Sequence, residues 1–155
     1  MAGDVVVATV EARLTAVVAE TTTWEAFPTL WAKLLDEVYA VVRPRPELFS
    51  PEPGPGPHWP NVMLYKDDTP AVEVGVLVGR PFEAVGRVVP SQLPAGRVAA
   101  AVHRGDYAGI GRAHDAVHRL AAERGLELAG PRWEIYGHWS ADPREIETEV
   151  LWLLR

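Results

Sequence analysis

The sequence contains no cysteine, which excludes disulfide frameworks, thiolate nucleophiles and cysteine-ligated zinc or iron–sulfur sites. Lysine is scarce, and the net charge is -6. A nucleic-acid partner is therefore not expected, because phosphate neutralisation requires a clustered excess of Lys and Arg. The chain has no run of about 18 apolar residues that could cross a membrane and no N-terminal targeting pattern. We therefore expect a soluble, cytoplasmic protein with no membrane partner.

The chain has 155 residues, of which 48% are apolar. This length is typical of one domain that builds its core unaided, so we predict a single domain over residues 1–155 and no cofactor. His114 and His118 have the i, i+4 spacing of a metal-binding pair. The glutamate of a zinc-protease helix is missing between them and no third ligand is evident, so no metal site is predicted.

The hydrophobic patterns of the chain predict two consecutive sets of strands and helices. The first set predicts one strand or a bent pair over residues 5–20, a helix over 30–42, and a hairpin of strands 61–65 and 71–78. Thr22 and Glu25 have the spacing of a capping box before this helix. Trp31 and Tyr39 recur at helical spacing, which favours a place in the core over a place in a ligand site.

The second set predicts strands over residues 85–92, 96–103, 132–139 and 145–154. A helix is predicted over 107–124, capped by Asp106 and ended by Gly125. Between the two sets, residues 44–60 contain seven prolines, which exclude a helix or a sheet ladder. This loop is either a stiff connection or a rim that places His58 and Trp59 over a pocket.

The order strand, helix, strand, strand occurs twice, in modules of about residues 4–80 and 84–155. The strand sequence PNVMLY at 60–65 is repeated as PRWEIY at 131–136. We therefore predict an α+β fold in which two pseudo-symmetric strand-helix-strand-strand modules form one antiparallel sheet. The helices are expected on one face and a ligand cleft on the other.

Each module has a glutamate inside its last strand, Glu73 and Glu149. Because the side chains of a strand alternate between its two faces, both glutamates lie on the face opposite a uniformly apolar one. If aromatic residues enclose them, a desolvated carboxylate must pair with a cation, bind one from outside, or become an acid–base group. The alternative is that both are ordinary solvated strand glutamates. At least one of three tryptophans is expected to line the cleft, namely Trp59, Trp133 or Trp139.

Four segments together resemble the GyrI-like small-molecule-binding domain, the effector module of AraC- and MerR-type multidrug regulators. They are residues 93–99 (LPAGRVA), 103–107 (HRGDY), 131–136 (PRWEIY) and 148–150 (TEV). The resemblance implies a SOUL/GyrI-like fold and a cleft that binds bulky, lipophilic and often cationic compounds around an acidic residue. It assigns that residue to Glu149 and the strand tyrosine to Tyr136. Leu151 departs from the family, which usually has an aromatic residue there.

Without a DNA-binding segment, the resemblance implies a stand-alone sensor or sequestering protein for planar, lipophilic cations. One alternative is a hydrolase of cyclopropane-bearing alkylating natural products, with Glu149 as general base on a water and Tyr136 orienting that water. Another is an interaction protein similar to gyrase inhibitors, which would use its exterior. The predicted ligand-binding residues are Glu149, Tyr136, Glu73, Tyr65, Trp59, Trp133, Trp139 and His58.

Overall fold

A computed structural model describes residues 4–48, 60–137 and 141–155. These residues form one eight-stranded antiparallel sheet and two α-helices, which confirms the predicted α+β class. None of the helices in the described ranges is long and apolar enough to span a membrane. The strands are β1 (Val6–Val10), β2 (Arg13–Thr21), β3 (Asn61–Tyr65), β4 (Ala71–Leu77), β5 (Val88–Leu93), β6 (Gly96–Arg104), β7 (Leu128–Tyr136) and β8 (Glu147–Leu154), and the helices are α1 (Phe27–Val42) and α2 (Gly111–Arg124).

The strand order is β1-β6-β8-β7-β3-β4-β2-β5. The two repeated Pro–Tyr strands, β3 and β7, therefore pair with each other at the centre of the sheet. The remaining strands follow in matching order on either side, with β8 and β6 in one half and β4 and β2 in the other. The predicted arrangement of two pseudo-symmetric halves in one antiparallel sheet is confirmed.

The two helix starts differ from their sequence predictions. The capping box at Thr22 and Glu25 is wrong, because Thr23 supplies the hydroxyl that accepts from the backbone N–H of Ala26, at 3.1 Å. Asp106 makes no side-chain capping bond, and a 3₁₀ turn over Tyr107–Gly109 precedes α2. The predicted helix end is confirmed, since Gly125 adopts a left-handed φ of 65°, which glycine reaches without steric cost.

Both helices pack on the same face of the sheet. Helix α1 lies mainly over β2 and β4, and α2 lies mainly over β6 and β8. The two central strands are thus left between the helices rather than beneath either one. This arrangement leaves room for a cavity over β3 and β7.

The opposite face of the sheet carries a second apolar core that includes Val62, Leu77, Trp133 and Leu151. Strands β5 and β6 lie far apart in the strand order, yet only residues 94–95 connect them. The sheet must therefore curl until its two halves approach each other around this core. The face that the sequence pattern predicts as an open cleft is closed by this curvature.

Candidate functional site

A pocket of about 710 Å³ lies between α1 and α2, above the central strands. Its volume is within the range of small-molecule sites. The pocket opens on the helix-covered face, whereas the sequence pattern predicts the cleft on the other face. The physical reason is the curl of the sheet, which fills the other face with apolar side chains. The lining residues are Phe27, Pro28, Trp31, Leu35, Tyr39, Pro60, Asn61, Met63, Tyr65, Tyr107, Ile110, Gly111, His114, Glu134, Tyr136 and Gly137.

Glu134 lies at the floor of this pocket with only 6% of its surface exposed. Its Oε1 accepts hydrogen bonds from the hydroxyl of Tyr65, at 3.3 Å, and from the hydroxyl of Tyr136. Its Oε2 lies 2.7 Å from Nε2 of His114 on α2. A buried carboxylate needs such donors to compensate for the water that it loses.

The pocket is acidic and aromatic. Glu134 is the only acidic residue among the described lining residues, and none of them is Lys or Arg. None of the ion pairs found in the described ranges joins Glu134 to a lysine or arginine. The carboxylate is therefore stabilised by hydroxyl and imidazole groups, and no lysine or arginine in the described ranges forms an ion pair with it.

The two strand tyrosines remain protonated donors over a wide pH range. Burial raises the pKa of Tyr65 and of Tyr136, and the nearby carboxylate of Glu134 raises both further. Each tyrosine also packs on an aromatic residue that precedes a helix. The ring centroids of Trp24 and Tyr65 are 5.4 Å apart, and those of Tyr107 and Tyr136 are 5.8 Å apart.

The structure places two of the predicted site residues, Tyr65 and Tyr136, in the pocket. Glu149 is exposed and pairs with Ile135 on the opposite face, so it does not line the pocket. Glu73 is buried on that same opposite face, where it forms an ion pair with Lys66 at 2.6 Å and accepts from Ser91 at 2.6 Å.

Trp133 is 1% exposed in the apolar core of the opposite face and is not part of the pocket. His58, Trp59 and Trp139 lie outside the described residues, and so does most of the proline-rich loop. The described residues contain no group of His, Asp or Glu side chains that could hold a metal ion.

Sequence reasoning missed Glu134, His114, Trp31 and Tyr39 as pocket residues. The signal for Glu134 was present in the repeat, because it occupies the place in PRWEIY that Met63 occupies in PNVMLY. A charged residue at an otherwise apolar position of a central strand indicates a buried functional group. Trp31 and Tyr39 follow a helical stripe, as predicted, but the stripe lines the cavity instead of filling a core.

The fold and this pocket define a small-molecule-binding domain. The sequence model of the GyrI-like small molecule binding domain matches residues 4–155, and the chain belongs to this family. No curated protein sequence is significantly similar to the chain.

Several solved structures share the fold. The EcmrR C-terminal domain superposes with a TM-score of 0.79 at 17% identity, covering 98% of this chain and 97% of that one. In the EcmrR–DNA complex, the chain covers 57% of the longer EcmrR chain. The structure of SAV2435 bound to tetraphenylphosphonium gives a TM-score of 0.70 at 11% identity, over 99% and 94% of the two chains. A hydrolase from Listeria innocua gives a TM-score of 0.56 at 11% identity, and the superposition covers 98% of this chain and 92% of that one.

Proposed function

We propose that the protein binds bulky, planar, lipophilic cations in the pocket between α1 and α2, with Glu134 as the countercharge. The observation that carries the proposal is the charge of the site. A buried carboxylate faces an apolar cavity, and no lysine or arginine among the described lining residues neutralises it. A ligand cation would supply the missing positive charge in a medium of low dielectric constant, where the attraction is stronger than in water.

The aromatic wall supports the same class of ligand. Trp31, Tyr107 and Tyr136 all line the pocket that holds the carboxylate. A cation over such a ring gains about 0.5–2 kcal/mol, and flat aromatic groups of the ligand can stack on the same surfaces. These contacts require little directional matching, so the site would accept several ligands of one chemical class. This behaviour suits a sensor or a sequestering protein.

SAV2435, a protein of the same fold, has been solved with tetraphenylphosphonium. That ligand surrounds a positively charged, tetrahedral phosphorus with four flat phenyl groups, so it has the charge and the aromatic surface of the proposed ligands without their overall planarity. It is therefore the natural first probe for this chain.

The test is calorimetric titration with tetraphenylphosphonium and with tetraphenylborate, which has nearly the same shape and the opposite charge. The wild type should bind the phosphonium and reject the borate. Glu134→Gln should lose about tenfold or more in phosphonium affinity, since tenfold corresponds to about 1.4 kcal/mol. Glu149→Gln should bind as the wild type does. Equal affinity for the two probes, or a loss caused by Glu149→Gln alone, would overturn the assignment.

A hydrolase remains a second candidate because of one observation. Glu134 is hydrogen-bonded to His114 and Tyr136 inside a pocket. A carboxylate fixed in this way can act as general base on a water. The test is incubation with a cyclopropane-bearing alkylating compound, followed by mass spectrometry. Turnover that Glu134→Gln abolishes while the compound still binds would favour the hydrolase. Recovery of the intact compound would favour binding.

A further inference from the structure

His114 lies between two partners whose hydrogen-bonding roles are fixed by their chemistry. Its Nδ1 is 2.9 Å from Nε1 of Trp152, and an indole N–H can only donate. Its Nε2 is 2.7 Å from Oε2 of Glu134, and an ionised carboxylate can only accept. Nδ1 must therefore carry the lone pair and Nε2 the proton. These two contacts together define one neutral tautomer of the imidazole.

We propose that Trp152 is a positioning residue that holds His114 in this neutral tautomer and thereby preserves the negative charge of the pocket. Trp152 lies on β8 and does not line the cavity, so it would control the charge of the site from outside. The functional part of this inference rests on the proposed binding of cations. The tautomer itself does not depend on any ligand.

The consequence for the ligand follows from charge. If His114 took a second proton, Nδ1–H would face the indole N–H, and the Trp152 hydrogen bond would be lost. The resulting imidazolium would form an internal ion pair with Glu134 and cancel the charge that a cationic ligand needs. While Trp152 donates to Nδ1, His114 supports the carboxylate without neutralising it.

The indole of Trp152 is itself held in place on two sides. The ring of His118 contacts it edge-on, with centroids 4.4 Å apart, and the guanidinium of Arg132 lies 4.8 Å from the ring centre. Only 8% of the Trp152 surface is exposed. Among the described residues, the titratable and charged groups around His114 and its two partners are Glu134, Arg132 and Tyr136 from β7, Tyr65 from β3, Tyr107 from the turn before α2, and His118 from α2. A fixed indole provides a donor with a fixed direction, which is what the selection of one tautomer requires.

The first experiment is nuclear magnetic resonance of the ligand-free protein with ¹⁵N-labelled histidine and tryptophan. Long-range ¹H–¹⁵N correlation distinguishes the two neutral tautomers and the cation, and the His114 signals are identified by their loss in His114→Gln. The wild type should show an Nε2–H tautomer and a scalar coupling across the hydrogen bond between Trp152 Nε1 and His114 Nδ1. An Nδ1–H tautomer, or a charged ring at neutral pH, would overturn the proposal without any variant.

The second experiment uses Trp152→Phe, which keeps an aromatic ring beside His118 and Arg132 but removes the N–H. Its matched control is Trp133→Phe, because Trp133 is also a buried tryptophan but lies in the core of the opposite face. In Trp152→Phe, His114 should populate other protonation states. Phosphonium affinity should then fall on the order of tenfold between about pH 8 and pH 6, the range in which histidine gains its charge. The wild type and Trp133→Phe should change less.

Failure of this inference can be distinguished from failure of the proposed function. If the wild type does not bind the phosphonium, the proposed function fails, and the ligand-free spectra still decide whether Trp152 sets the tautomer. If the wild type binds but Trp152→Phe keeps the same tautomer and the same pH profile, the role of Trp152 is refuted and the binding function stands.

Discussion

Met63 of β3 and Glu134 of β7 lie directly opposite each other in the register of the central strand pair. They are also the equivalent residues of the two repeated strands, so the pseudo-twofold axis of the sheet passes between them. The hydroxyls of Tyr65 and Tyr136 contact both of these side chains. A nearly symmetric scaffold therefore presents one carboxylate instead of two, which avoids the repulsion of two buried like charges.

Substitutions at Met63 and Glu134 test whether the site accepts only one carboxylate. Met63→Glu should destabilise the protein by about 1–3 kcal/mol at neutral pH, because it buries a second carboxylate beside the first. The repulsion raises the pKa of one of the two carboxyls, so the lost stability should return as the pH is lowered and that group is protonated. Urea unfolding at two pH values measures this effect. Met63→Gln is the neutral control, and Met63→Glu combined with Glu134→Met should recover part of the stability.

Alkaline pH should unfold the protein through its buried tyrosines. The pKa of Tyr65 and of Tyr136 is raised above the ordinary 10.0, chiefly by burial and then by Glu134. The native state thus holds these protons more tightly than the unfolded state does. The stabilisation is complete below about pH 10 and is lost as the pH rises above the unfolded-state value. Urea unfolding should show this loss, and Tyr136→Phe should show less of it. An unchanged slope in Tyr136→Phe would contradict the assignment.

Much of the fold could be predicted from the sequence, because most of the signals for strands, turns and helices are local. The alternation in β3 and β4 predicted their hairpin correctly, and the repeat of the Pro–Tyr strands predicted two similar halves of one sheet. The period of two also showed which residues share a face, but not which face stays open. That outcome depends on how the sheet curls and on where two helices rest, which are non-local properties. The resemblance assigned the acidic residue of the cleft to Glu149, whereas the pocket holds Glu134, which lies on the adjacent strand and points to the opposite face.

The histidine contact was beyond sequence reasoning for a related reason. His114 was weighed with His118 as a metal pair on one helix face. Its actual partners, Glu134 and Trp152, come from two neighbouring strands that only the folded sheet brings next to the helix. Helical spacing identifies neighbours within a helix, and it carries no information on the residues across an interface.

Gly75 should be essential to the pairing of β2 with β4. A Cβ built at Gly75 would lie 1.8 Å from the backbone oxygen of Ala16, a distance that only separation of the two strands can relieve. Gly75→Ala should cost about 3 kcal/mol or more in the free energy of unfolding, at or beyond the upper end of overpacking effects. Gly111→Ala is the matched control, because a Cβ there meets nothing within 4 Å and alanine favours the helix. Chemical denaturation should show a lower free energy of unfolding for Gly75→Ala and not for Gly111→Ala. Equal free energies of unfolding in the two variants would contradict the packing argument.

Trp31 and Trp24 should separate ligand binding from stability. Trp31 lines the pocket and is 37% exposed, so we predict that its indole contacts the ligand rather than the core. Trp31→Ala should reduce phosphonium affinity by about fivefold to thirtyfold, which is the value of one lost aromatic contact of about 1–2 kcal/mol. Its unfolding free energy should change by less than about 0.5 kcal/mol, as for other surface substitutions.

Trp24 is also partly exposed but is absent from the described pocket lining. Its indole donates to the backbone oxygen of Asp68 at 3.0 Å and packs on Tyr65. Trp24→Ala should therefore lower the unfolding free energy by about 1–2 kcal/mol through loss of the hydrogen bond and the ring contact. Trp24→Ala should reduce phosphonium affinity less than Trp31→Ala does. If Trp31→Ala instead destabilises the fold and leaves phosphonium affinity intact, Trp31 belongs to the core, and the ligand contacts assigned to α1 must be abandoned.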